Sequence, residues 1–178
     1  MSIRPASRRN GGNGTNLWQE LVEIIAKYKE IAFQTHELLQ DSKEYIEYRW
    51  VQGTINHEVY ERRLQNLVNM ALLYYYGLYE GFTRQVLFIM EVRYGPLKKG
   101  AFEKMFFKFN DLNRYLLKEK YGVYLPKHQF KIVKILREAR NSIIHEGKNA
   151  KPDFRIIEEC NRTVTGYFTF LVSQLQRK

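Results

Sequence analysis

Residues 71–88 read ALLYYYGLYEGFTRQVLF, a run that is apolar almost all the way round a helical circumference. A helix with no polar face has nothing to give to water, so it has to lie at the centre of its domain with other elements packed about it. The run sits in a longer helical segment, about Glu58 to Tyr94, which the pair Gly95 and Pro96 stops. The rest of the chain has to cover it.

The flanking segments have the periodicity for that task. Leu17, Leu21, Ile24, Ile25, Tyr28, Ile31 and Ala32 recur at three- and four-residue steps, which predicts a helix capped by Asn16 and continuing through Tyr45 and Tyr48. WVQGTINH, with Gly53 and Asn56, reads as the connection. A third helix is expected from about Ala101 to Tyr121, with Phe102, Met105, Phe106, Phe109, Leu112 and Leu116 on one side and Lys104 and Lys108 elsewhere. A fourth starts beside Pro126 and stops at Gly147, and a fifth, about Pro152 to Leu175, carries Ile156, Ile157, Phe168 and Leu171. No internal repeat occurs, and no alternation of period two is long enough for a sheet. The expected fold is all-α, a bundle of about five helices with short connections, forming a single domain over 17–178. Residues 1–16, rich in Arg, Gly and Asn, are expected to be a disordered basic tail, because they have almost nothing to bury against the entropy of ordering.

Charge narrows the partners. The chain has 29 basic and 19 acidic residues, and only three of the arginines lie in the first sixteen positions, so the helical part keeps an excess of +7 (26 minus 19). Such an excess favours a polyanion, and nucleic acid first, because neutralising phosphates releases their counterions. The one cysteine, Cys160, excludes an internal disulfide framework and a thiolate-rich zinc site, and fits a reducing cytoplasm. The basic start is not followed by the apolar run of a signal peptide, and no stretch approaches the roughly eighteen residues of a membrane span. A soluble cytoplasmic protein without membrane contact is the expectation.

The fourth helix ends in REARNSIIHEG, residues 137–147. At 100° per residue, Ile132, Leu136, Ala139 and Ile143, with Ile135 beside them, form the core stripe. Nearly opposite, Lys127, Lys131, Lys134, Glu138, Asn141 and His145 form a second stripe, a basic track leading to the asparagine and histidine. Arg140 lies off that track, about 140° from His145 on an ideal helix, on a flank shared with Val133, Arg137 and Ile144. On this geometry one straight helix does not bring Arg140 and His145 to one phosphate. A site completed by a second copy, or by unwinding near Gly147, is the expectation. The plain alternative is that cations in a last turn are there to meet the helix dipole.

If RNA is the substrate, these residue types match metal-free cleavage. A histidine titrates near working pH and shifts protons between the ribose 2′-hydroxyl and the leaving oxygen; an arginine stays charged and grips phosphoryl oxygens in pairs. Asn141, one turn before His145, can hold the imidazole or the phosphate. The products are 2′,3′-cyclic phosphates, and DNA is spared. Lys131, Lys134 and Arg137 are expected to bind the RNA backbone. Metal chemistry has no support: His36, His57, His128 and His145 lack HExxH-like spacing, and no cofactor is expected. Ser142 and Cys160 lack a triad partner, and GGNG at 11–14 follows no strand.

RNSIIH, Arg140 to His145, resembles the R-x4-6-H motif of HEPN domains, whose arginine is typically followed by a polar residue. LYYYGLYEGFTRQ, Leu73 to Gln85, is similar to the aromatic-plus-EGF helix of some bacterial HEPN groups. The likeness covers roughly Leu17 to Leu175, with only the six-residue motif specific. It implies a helical homodimer with a composite cleft, catalytic Arg140, Asn141 and His145, and a metal-independent endoribonuclease acting in toxin–antitoxin or anti-phage systems. It also implies a companion antitoxin or activating protein. Glu80, within the EGF segment, is a candidate supporting residue, with pairing to Arg84 one turn later as its alternative. Two other functions are open: a non-catalytic module that binds RNA or protein, and a subunit of a larger defence complex.

Overall fold

The structure, a computed structural model, describes residues 16–105, 118–147 and 153–177. Helix α1 (Leu17–Val51) starts where the Asn16 side chain accepts the Gln19 amide at 2.9 Å. It turns at Gly53, whose φ of +65° is left-handed, into α2 (His57–Phe88), capped by Asn56 on the Val59 amide. Asn56, which the sequence places in the connection, is therefore the first residue of the helix boundary. Trp50 stacks on Tyr60 at 4.6 Å and ties the two helices together at this end.

The α2 run is central. Tyr75, Tyr79, Phe82, Thr83, Val86 and Leu87 are all fully buried. After Phe88 the helix widens into a π-type turn, Ile89–Arg93, which corrects the expectation of α-helix as far as Tyr94. In this turn the Tyr94 amide bonds back to the Ile89 carbonyl. The wider turn carries Glu91, 1% exposed, whose carboxylate takes Lys120 on both oxygens at 2.6 and 2.7 Å and accepts the Tyr121 hydroxyl. Arg93 pairs with Glu20 of α1. A side chain at Gly95 would run into the Met90 and Glu91 backbone, so glycine is required to leave this turn.

The third helix is short where it is described: α3 spans Lys99–Met105, with Phe102 buried against Phe88. The expected continuation through Phe106, Lys108, Phe109, Leu112 and Leu116 lies outside the described residues. The α-helix does not reach Tyr121, because 118–120 form a π-type turn. Helix α4 (Lys127–Glu146) then ends at Gly147, φ +62°, whose amide bonds to the Ser142 carbonyl. Ile132 and Leu136 are buried as expected, while Ile135, Ala139 and Ile143 are half-buried. Helix α5 (Arg155–Gln176) closes the bundle; the expected start at Pro152 lies outside the described residues.

The contacts fix the helix directions. Lys120 and Tyr121 return the chain to the end of α2, so α4 runs back along it. Lys43 lies 5.2 Å over the Phe154 ring and Tyr28 meets Phe168 at 5.6 Å, so α5 is antiparallel to α1. The result is an up-down-up-down bundle, all-α among the described residues, with α2 touching α1, α4 and α5. Its centre is an aromatic layer: Phe82 against Phe168 at 4.4 Å, Tyr79 against Tyr167 at 4.7 Å, and the Tyr167 hydroxyl 2.7 Å from Thr83 Oγ1. Cys160 is fully buried, and burial pushes its thiol up to about 12. No helix of the described residues is long and apolar enough to cross a membrane.

Truncating Phe82 to alanine removes the ring at the middle of this layer and is expected to cost about 3–5 kcal/mol in urea unfolding. The exposed Leu38→Ala is expected to stay within about 0.5 kcal/mol of wild type. Burial raises the phenols of Tyr28, Tyr75, Tyr76 and Tyr167 above their ordinary value of 10. Because the unfolded phenols ionise first, stability from these groups is complete below pH 10 and is lost as pH rises beyond it. Urea midpoints between pH 8 and 11, read with tyrosinate absorbance, are expected to fall only in the alkaline part of that range.

Candidate functional site

The site lies where the C-terminal half of α4 crosses the middle of α2. Arg140 Nη1 is 2.9 Å from His145 Nε2 and 3.1 Å from Asn141 Oδ1, so one guanidinium holds both neighbours of the motif. This corrects the helical-wheel expectation that a single helix keeps Arg140 and His145 apart. The wheel places Cα atoms only. His145 tilts back along the helix axis, as every Cα–Cβ bond in a helix does, and the long arginine side chain spans the remaining arc. No unwinding is involved, since Gly147 ends the helix one residue beyond Glu146 in the ordinary left-handed cap.

Beneath the guanidinium lies Tyr76 of α2, with the Arg140 Cζ 6.0 Å from its ring centroid. Tyr76 is 9% exposed. Burial raises its phenol, Glu80 adds to the rise, and Arg140, Arg137 and Arg84 oppose it. Three arginines and a carboxylate therefore sense one hydroxyl, which stays protonated and can donate. The sequence reading missed Tyr76, although a signal was present: it precedes Glu80 by four residues in the same run and so shares its face.

Glu80 takes the alternative role given to it. Arg84 Nε and Nη2 both lie 3.0 Å from Glu80 Oε1, an i,i+4 pair along α2. Arg137 is exposed on α4, one turn before Asn141 and close enough for its charge to act on Tyr76. Lys134 and Lys131 are also exposed, but on the outer stripe. Lys134 pairs with Glu138 at 3.7 Å. At 1.5 Å per residue Lys134 and Lys131 stand about 16 and 21 Å from His145 along the axis, so they do not share its phosphate.

Arginine only donates, so in the Arg140–His145 hydrogen bond Nε2 is the acceptor and the ring hydrogen lies on Nδ1. A guanidinium, an imidazole and a carboxamide thus meet at the surface above a buried phenol. Such a set can bind an oxyanion and move one proton. Arg140→Ala removes the donor to Nε2, and 15N NMR of His145 is expected to change from the Nδ1–H tautomer alone to a mixture containing Nε2–H. No protein-family model, no curated protein and no solved structure matches this chain.

Proposed function

We propose that the chain is a metal-independent endoribonuclease of HEPN type, and the observation that carries this reading is the 2.9 Å contact between Arg140 and His145. A cation bound to a base at rest can be drawn off by a substrate. When a phosphate enters, its oxygens compete for the guanidinium, Arg140 turns to them, and the Nε2 lone pair is released for the ribose. His145 then takes the 2′-hydroxyl proton as the 2′-oxygen bonds to phosphorus. The bond to the 5′-oxygen breaks, that oxygen takes a proton from water, the His145 imidazolium returns its own to the hydroxide so formed, and a 2′,3′-cyclic phosphate remains. Arg140 offsets the charge on the phosphoryl oxygens, and Asn141 keeps Arg140 aligned through its side-chain oxygen. Tyr76 supports the guanidinium from below, and Arg137 extends the cationic surface.

The chain's +10 charge supports RNA as the ligand. The α4 flank with Phe130, 52% exposed, and Ile144, 54% exposed, supports a homodimer in which two such sites share a cleft. By resemblance the context is toxin–antitoxin or anti-phage defence, with an antitoxin or activating protein as companion.

The same contact also favours a second reading. With Nε2 occupied, Arg140 and His145 form a closed pair that can bind RNA, or a protein, without chemistry.

Cleavage of a mixed structured RNA in EDTA distinguishes the two. Wild type is expected to leave cyclic-phosphate ends, and His145→Ala and Arg140→Ala to lower the rate roughly 10²- to 10⁴-fold with helical content and dimer fraction unchanged. Salt-sensitive RNA binding that survives His145→Ala, with no product from any variant, would establish the binding module instead.

A further inference from the structure

We propose that the groove between α1, α2 and α3 is a subsite for an unpaired RNA base, a few nucleotides from the phosphate held at Arg140. The identity of the ligand rests on the nucleic-acid reading above; the site itself rests on separate residues. The groove is open to solvent and offers about 500 Å³, room for a small flat ligand. Its apolar walls are aromatic: Tyr28 from α1, Phe88 from α2 and Phe102 from α3, the two phenylalanines meeting edge to face at 5.6 Å. Gly81 sits against Tyr28, where an added Cβ would come within 3.2 Å of the phenol oxygen.

The rim decides what fits. Arg84 only donates, Glu103 accepts, and Gln85 does both. A bare anion would meet the Glu103 carboxylate, and an aliphatic ligand would leave the rim unmatched. A flat heterocycle with donors and acceptors on its edge uses both walls and rim, as unpaired bases do when aromatics stack on them.

Position ties this groove to the candidate site. Arg84 lines the groove and also binds Glu80, and both side chains act on Tyr76 below Arg140. Eight residues of α2 separate Arg84 from Tyr76, about 12 Å along the axis, a gap that a short extended strand spans. A backbone passing Arg84, Arg137 and Arg140 in turn therefore puts a base over the groove while its phosphate reaches His145.

The test uses the full chain with His145→Ala, so that RNA stays intact, and labelled short single strands of A, C, G and U. One base is expected to bind about tenfold better than the weakest. Gln85→Trp, which fills the groove from an exposed position, is expected to bring the four affinities within about twofold of each other. Glu103→Gln is a milder second variant, expected to reorder the bases by turning an acceptor into a donor–acceptor. Unchanged affinities in both folded variants overturn the subsite, and so does absence of RNA binding by the parent chain. Cleavage by the same variants on the native His145 background separates the two claims. Cutting in EDTA with base preference unaltered removes the subsite and keeps the ribonuclease; base-dependent binding lost in Gln85→Trp, without cutting by any chain, keeps the subsite and removes the ribonuclease.

Discussion

Everything in this bundle depends on burying the apolar faces of α2 against α1, α4 and α5. Phe82 and Tyr79 are packed by Phe168 and Tyr167 of α5, and Tyr28 of α1 lies edge-on to Phe82 at 5.3 Å. A phenol in such a layer has to find a hydroxyl partner, and Tyr167 finds Thr83, which itself donates to the Tyr79 carbonyl. The polar tips of the tyrosines thus set the axial register of helices whose apolar bodies would tolerate sliding. His36 does the same on the α1 side, with Nδ1 3.1 Å from the Tyr75 hydroxyl.

That register gives the candidate site its shape. Tyr75 and Tyr76 are neighbours in sequence but face different helices: the first is locked to α1, and the second lies under Arg140 of α4. The Arg140 guanidinium therefore rests on a ring that is itself packed into the central helix's surroundings. The same helix carries Glu80 and Arg84, so the chemistry of the α4 motif is joined to the central helix by charge as well as by packing.

Much of this was legible in the sequence. The all-round apolar run required a central helix, and Asn16, Gly147 and the 3.6-residue stripes marked the helix ends and faces, because these are local effects of backbone and burial. What could not be read was the reach of side chains. The wheel separated Arg140 from His145 by angle, whereas a long flexible side chain is governed by distance. Tyr76 was missed for a different reason: its four-residue spacing from Glu80 gave its face, but the side of α2 that α4 covers is decided by tertiary packing. The π-type turn also left no mark in the local pattern, and Glu91, which it carries, meets residues 29 and 30 positions further on.

That buried carboxylate also acts on the placing of α4. Glu91, just past the end of α2, is met by Lys120 and Tyr121, which shortly precede α4, so the two helices are joined at one side chain. The placing of α4 on α2 is thereby fixed at its first end as well as at its last. A single buried carboxylate, some distance from Arg140 in the fold, thus helps to decide that Arg140 lies above Tyr76.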